Sequence, residues 1–364
     1  MAARQRLESW WRRTVAEEKP GPLGALAQGA LLAGTLPFEA VTRLRDYFYR
    51  WEILPTLRLP VPVVSFGNLT AGGTGKTPAV IWCAEYLCAK GLKAGIASRG
   101  YNPDASGETG PNDEAQLIEE RLADVPHVWN ADRAQAGKAL VKEHHCNVVI
   151  LDDGFQHRRL HRTLDFVLVD ALNPFGYGYM LPRGLLREPL SAIDRATGII
   201  ITRSNLVSRD ELVKIRQRIW QIDENIKLAE AIHKPVGLFK AGDAREEVET
   251  LKGRKAYVFC GVGNPHSLMI MLSNLGVEIT GIKSFPDHHV YTEEEIDGIF
   301  DEAASRRSDL VITTQKDRVK TGWREGSRVP LGELRVEFEL VRGREAVEAA
   351  LDFLAAGVLG SNGA

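Results

Sequence analysis

The sequence predicts an α/β protein, with a parallel sheet in its larger first part and a second, smaller α/β domain beginning near residue 231. Continuous apolar runs carry the strand reading: "VPVVSFGN", "NVVILDDG", "DFVLVDA" and "GIIITRS" lack the in-and-out alternation of a sheet with one wet face. Helical spacing between these runs carries the rest, because strands alternating with helices give a parallel sheet covered on both faces. A chain of 364 residues also exceeds the usual extent of one hydrophobic core. The expected divisions are an N-terminal helical segment over 1–55, a main α/β domain over 56–230 and the smaller domain over 231–364.

Taken in order, the run at 61–68 reads as a buried strand ending in Gly and Asn. "PAVIWCAEYLCAKG" follows as a helix with proline in its first turn and glycine at its end. "KAGIASRGY" is a strand that breaks at 98–100, and helices near 113–122 and 132–144 precede "HVWN" and "NVVILDDG". Strands at 165–171 and 198–204 complete the first part. The pattern restarts at 231–235: "KAYVFCGVGNP" is a strand with a Gly-rich turn, followed by a helix near 267–275 and a strand and loop in "VEITGIKSFPDHH". A helix near 293–305, the strand "DLVITTQKD" and a last helix near 344–356 finish the chain. No repeat of fixed period and no low-complexity linker interrupts it.

Composition narrows the function classes. With 44% hydrophobic and 26% charged residues the chain reads as an ordinary folded protein, and a formal net charge of -2 argues against a general nucleic-acid binder. The four cysteines, Cys83, Cys88, Cys146 and Cys260, show neither disulfide nor zinc spacing, which suits a reducing cytoplasm. No apolar core of a signal peptide follows the first arginines.

The stretch "GPLGALAQGALLAGTLPF" carries no formal charge, yet its two prolines, four glycines and Gln28 argue against a spanning helix. Its flanks hold Trp10, Trp11, Arg12 and Arg13 on one side and "RLRDYFYRW" on the other. Aromatic rings interleaved with arginine suit the headgroup layer, so a protein lying on a membrane surface is one reading. A helical pair packed on its own domain is the other.

Chemistry enters at "SFGNLTAGGTGKTP". A phosphate loop needs backbone N–H groups aimed inward at a helix start, glycines that let the chain approach, a lysine for the outer phosphates and a hydroxyl for magnesium. Here Thr70 occupies the place of the usual first glycine, and Thr70, Ala71, Gly72, Gly73, Thr74, Gly75, Lys76 and Thr77 form the expected ATP-binding segment in a compact Gly-Gly-x-Gly-Lys-Thr form. A predicted strand precedes the loop and a predicted helix follows. An apolar strand ending in acid, "NVVILDDG", offers Asp152 and then Asp153 to complete a Mg2+ site with Thr77. The next residues, "QHRRLHR", pack three arginines and two histidines into seven positions, either as a solvated basic turn or as a face for an anionic substrate.

Together, "GNLTAGGTGKTP", "SRGY", "DDGFQHRRL", "LPRGLLREP" and "FPDHH", in this order, resemble the tetraacyldisaccharide 4'-kinase family of the lipid A pathway. The resemblance runs from about residue 37 to about residue 320, and Thr70 belongs to that family's loop pattern. It implies two Rossmann-like α/β/α domains with the active site between them. It also implies transfer of the ATP γ-phosphoryl group, with Mg2+, to the 4'-hydroxyl of an acylated glucosamine disaccharide 1-phosphate at the cytoplasmic face of the inner membrane. The family's aspartate and histidine pair matches Asp113, in "GPNDEAQL", and His288, in "FPDHHVY", with His289 as a neighbouring competitor.

Two departures stand out: Gln315 where the family usually has an acid before Lys-Asp, and Leu185 and Leu186 where it commonly has Gly-Pro. Read without the resemblance, Asp113 is a helix N-cap and His288 a turn histidine. In the kinase reading Asp113, His288 and Lys76 are catalytic. The partners expected are an acylated disaccharide lipid and a membrane surface, with no nucleic acid and no protein partner. A membrane-bound ATPase switch is the alternative, disfavoured by Ala71 where such loops often carry lysine; a soluble nucleotide kinase is a third, disfavoured by the N-terminal segment.

Overall fold

The computed structural model describes residues 2–17, 19–99, 113–324 and 326–361. Gly100 and Tyr101 of "SRGY", and the "TGPN" stretch before Asp113, lie outside the described residues.

Two helices lead, α1 (Ala2–Ala16) and α2 (Pro22–Arg50). Proline suits the start of α2, where its missing N–H has no intrahelical partner, and the helix continues through Pro37. Among the described residues no helix is long and apolar enough to cross a membrane. One face of the pair docks on the protein. Trp11 Nε1 donates to the Pro182 carbonyl at 2.7 Å, Gln28 donates to the Thr14 carbonyl at 2.8 Å, and Arg183 donates to Gln28 at 2.9 Å. The other face leaves Leu23, Leu26, Leu36 and Val41 exposed. The docked face matches the reading of a helical pair packed on its own domain.

The first part then runs β1 (Val63–Asn68), α3 (Lys76–Ala89), β2 (Ala94–Ser98), α4 (Asp113–Arg121), β3 (His127–Trp129), α5 (Arg133–Lys142), β4 (Val148–Asp152), β5 (Leu164–Asp170), β6 (Gly198–Thr202) and α6 (Arg209–Trp220). Every residue of β1, β2, β4 and β6 is buried, which is why these strands read as unbroken apolar runs. Next come β7 (Lys227–Phe239), β8 (Arg245–Glu246), β9 (Lys255–Cys260), α7 (Pro265–Asn274), β10 (Glu278–Ser284), α8 (Glu293–Ser305), β11 (Leu310–Thr314), α9 (Gln315–Thr321), β12 (Leu331–Arg342) and α10 (Arg344–Ser361).

The twelve strands of the described residues form one mostly parallel sheet, in the order β10-β9-β11-β12-β7-β6-β5-β1-β4-β2-β3 with β8 alongside β7. The antiparallel pairings are β7 with β12 and β7 with β8. Strand β7 joins the two parts. Its first residues, 227–230, pair with β6, and residues 230–239 pair with β12, so the expected division at 230/231 falls where the strand changes partners.

Strand β12 and helix α6 went unassigned from the sequence. In β12, Leu334, Phe338 and Leu340 are buried while the intervening Arg335, Glu337 and Glu339 stay at least partly exposed, a period-2 pattern hidden among charges. Helix α6 opens on a capping box between Ser208 and Glu211.

Helix α3 packs on one face of the sheet through Val80, Ala84 and Leu87, and the last helix joins the same cluster through Val347, Leu351 and Leu354. The other face is covered by Ile193, Ile215 and Ile219. In the second part, Leu268 and Leu272 of α7 cover one face, and Ile296 and Ile299 of α8 the other. This layering brings the loop after β1, the end of β4, the start of α4 and the loop after β10 to one cleft.

Candidate active site

The segment 69–77 solves its backbone problem in two steps. Leu69 to Ala71 pair with the 185–187 stretch: Arg187 donates its N–H to the Leu69 carbonyl and Ala71 donates to Leu185, both at 2.7 Å. Thr70 bridges Leu186 and needs no left-handed conformation, so the glycine missing there is not required. The turn itself falls on Gly72, at φ +126°, and Gly75, at φ +84°, which a side chain would strain. Gly75 precedes α3, and the N–H groups of that first turn face the cleft end of the helix, where anions are favoured.

The buried ring of His233 lies under Gly75, so close that a Cβ on Gly75 would meet its Nε2 at 2.5 Å. Burial, with the Arg203 charge beside it, pushes the imidazole down to about 3, so the ring is neutral.

At the end of β4 the two acids diverge. Asp152 is buried, and one of its carboxylate oxygens, Oδ1, has no hydrogen-bond partner. Burial, reinforced by the nearby Glu114 carboxylate and by Asp153, pushes Asp152 up to about 7. Asp153 adopts the left-handed backbone at φ 56° and turns toward cations: Lys76 Nζ lies 3.5 Å away and Arg187 donates to it at 2.9 Å. Burial raises the Asp153 carboxyl, but Lys76 and Arg187 more than offset this and hold it well below the usual range. An unpartnered buried carboxylate beside an ionised one is a donor set suited to a hard divalent cation.

The start of α4 supplies Asp113, which is buried rather than a solvated cap. Its Oδ1 lies 2.8 Å from His288 Nδ1, and its Oδ2 lies 3.4 Å from Lys320 Nζ and 3.6 Å from Lys316 Nζ. Burial alone would raise this carboxyl; the His288 hydrogen bond and the two ammonium charges instead hold it well below the carboxylate range. The same bond raises His288 above the ordinary imidazole value. Lys316 also reaches Asp287 at 2.9 Å and Glu114 at 3.4 Å, knitting both parts of the chain together. Asp113, Asp287 and His288 have metal-ligating chemistry at close quarters, but the two lysines already neutralise the carboxylates, so this cluster is an ion-pair network.

His289 is excluded as the partner of Asp113. It bonds Glu295 at 2.8 Å and stacks on Phe285.

Loop, carboxylates and network line a single cavity of about 1240 Å3 that holds Gly72 to Thr77, Asp113, Asp152, Asp153 and His288 together. Thr70 and Ala71 stand just outside it, in the paired approach. Arg187, Lys316, Lys320 and His233 were missed as site residues. Arg187 lay in "LPRGLLREP" and Lys316 in "DLVITTQKD", with Lys320 just beyond it, where nothing local distinguishes a bridging cation from a surface one. Gln315 meets Glu120 at 3.3 Å and Arg121 at 3.4 Å, so the departure from the family pattern falls at a contact between α9 and α4. The basic turn is largely spent on the protein's own acids: Arg158 pairs with Asp46, Arg159 with Asp132 at 3.1 Å and Arg162 with Asp165 at 2.9 Å. The arrangement as a whole offers an anion cradle, a cation site and an ionised base around one cavity, which is the equipment for phosphoryl transfer to a hydroxyl.

Comparison with known proteins agrees. The sequence model of the tetraacyldisaccharide-1-P 4'-kinase family matches residues 28–355, beyond both ends of the motif span. A tetraacyldisaccharide 4'-kinase of Anaeromyxobacter dehalogenans (strain 2CP-C) is 38% identical over 361 residues, covering 94% of this chain and 93% of that protein. One from Halothermothrix orenii is 36% identical over 308 residues, covering 78% and 80%. Among solved structures, LpxK from Aquifex aeolicus in complex with ATP superposes with a TM-score of 0.68 at 28% identity, covering 90% of this chain and 99% of that one.

Proposed function

The chain belongs to the tetraacyldisaccharide-1-P 4'-kinase family, an ATP-dependent kinase of lipid A biosynthesis acting on the 4'-hydroxyl of an acylated disaccharide, and from that premise we propose how its residues divide the work. ATP lies on the 72–77 loop, with the outer phosphates at Lys76 and the helix N-terminus of α3. Thr77, Asp152 and Asp153 hold Mg2+; the orphaned Oδ1 of Asp152 supports this assignment. When bound, the ion neutralises charge on the phosphate oxygens.

Asp113 accepts the proton of the 4'-hydroxyl. Its low proton affinity is no obstacle, because in a loose transition state the hydroxyl proton leaves late and a correctly aimed weak base suffices. His288 aims that carboxylate through the 2.8 Å bond, and Lys316 and Lys320 keep it ionised. The single observation that carries the reading is that Asp113, from the first part of the chain, meets His288, from the second, in the same cavity as the loop.

The parts on either side of 230/231 act as two domains that meet over the nucleotide, with β7 as their joint. The exposed apolar face of α2 lies on the cytoplasmic surface of the inner membrane and delivers the lipid acceptor. Incubating the full chain with γ-labelled ATP, Mg2+ and the acylated disaccharide 1-phosphate in mixed micelles tests the assignment. Label must appear in the lipid, and at a rate at least about a hundredfold lower in Lys76→Ala; label confined to inorganic phosphate supports an ATPase instead.

A further inference from the structure

A second cavity, of about 370 Å3, lies between the C-terminal half of α2 and the 188–195 stretch. Its wall carries five guanidinium groups, Arg43, Arg45, Arg50, Arg158 and Arg195, against three carboxylates, Asp46, Glu188 and Asp194. Pairing inside the wall leaves a positive surplus. Glu188 is shared between Arg45, at 2.8 Å, and Arg195, while Arg158 takes Asp46, Arg50 takes Asp194 at 3.0 Å and Arg43 takes Glu39, outside the wall, at 2.6 Å, which leaves one guanidinium charge in excess. The Arg50 pair is solvent-exposed and therefore weak, so an incoming anion displaces it at little cost.

Two further donors wait without acceptors: the Nε groups of Arg45 and Arg195 are buried and unbonded. Guanidinium forks, in a wall with surplus positive charge, match the oxygens of a phosphate monoester.

Position connects this cavity to the reaction. Arg187 reaches Asp153 in the main cleft, and the next residue, Glu188, lies in the arginine wall, so consecutive residues line the two sites. Tyr47 lines the cavity, and Leu44, Tyr47 and Trp51 are exposed on the same stretch of α2 or at its end, which sets the cavity beside the apolar surface rather than away from it.

We infer that the cavity walled by Arg45, Arg50, Arg158 and Arg195 binds the 1-phosphate of the acylated disaccharide while the 4'-hydroxyl lies in the main cleft. This rests on the acceptor assignment above and adds the residues that recognise the acceptor's fixed anion. The site selects for an acceptor already phosphorylated at its other end. It also orients the disaccharide, so that the 4' end rather than the 1 end meets ATP.

The test uses the full chain in mixed micelles with two acceptors, the acylated disaccharide 1-phosphate and the same lipid with the 1-phosphate removed. Measuring both on one enzyme preparation cancels any inactive fraction. The wild-type protein should favour the phosphorylated acceptor in kcat/KM by about tenfold or more, the equivalent of one charge-assisted contact. In Arg45→Gln that preference should shrink to within about threefold, and in Arg45→Glu it should vanish or reverse. Equal use of both acceptors by the wild type, or an undiminished preference in both variants, overturns the inference. So does a preference that survives while Arg45→Gln loses binding to acceptor-free vesicles of anionic phospholipid, because the cavity would then read a bilayer phosphate. Phosphorylation of neither acceptor by the wild type defeats the acceptor assignment itself, and with it the inference.

Discussion

The two walls of the main cleft are built on opposite plans. On the first, backbone geometry does the shaping, through the Leu69–Ala71 pairing and the glycines at 72 and 75, and Asp152 Oδ1 is left without a partner. On the second, side chains do the shaping, and the charges are closed in ion pairs, Lys316 with Asp287 and Lys320 with Asp317, although Asp113 Oδ2 and Lys320 Nζ make no hydrogen bond. One wall waits for ligands; the other is ready before they arrive. The difference teaches where catalysis is assembled, because Asp113 is the residue of the first part around which the second wall's cations and His288 converge.

The most severe way to break this arrangement is to neutralise the shared residue. Asp113→Asn should lower kcat about 10²–10⁴-fold with little change in KM for ATP, read from steady-state transfer to the lipid. Lys76→Ala attacks the incomplete wall and should cost about 10²–10³-fold, with weaker ATP binding measured directly by calorimetry. A variant that bound ATP normally would show that Lys76 serves Asp153 alone.

The contact between the walls can be sharpened by steric means. A Cβ on Gly263 would come within 2.7 Å of the Gly73 amide nitrogen, so Gly263→Ala must hold the second wall off the loop. A rise of several-fold in the KM for ATP, with kcat less affected, is the expected result.

The smallest effect is one of stability and pH. His288 has a folded-state pKa above its unfolded value, so its contribution is full below about pH 6.5 and is lost as pH rises through the raised value. The difference in Tm between wild type and His288→Gln should therefore be largest near pH 6 and shrink by pH 9. A difference that grows with pH would mean that the ring packs neutral and that the bond to Asp113 is not charge-assisted.

The same contrast explains what could be read from the amino-acid order. The incomplete wall is local: strand, glycines, lysine, hydroxyl and the acids after β4 lie in short segments whose chemistry is written in adjacent letters, and the phosphate loop was legible even with Thr70 in place of glycine. The completed wall is not local. Asp113 and His288 are 175 residues apart, and read alone one is a helix cap and the other a turn residue; only family resemblance joined them. Lys316 and Lys320 gain meaning from carboxylates elsewhere in the chain, and His233 from a glycine it lies beneath. Strand β12 escaped notice because its apolar positions alternate with Glu and Arg, as suits a strand whose partly exposed positions carry ion pairs rather than one buried on both faces.

A double-mutant cycle on kcat/KM for lipid phosphorylation, through Asp113→Asn, His288→Gln and the double variant, tests most directly whether the two walls act as one device. If His288 works by aiming Asp113, the double variant should be no slower than Asp113→Asn alone, within about threefold. Losses that multiply instead, or a His288→Gln variant with wild-type turnover, would contradict the account.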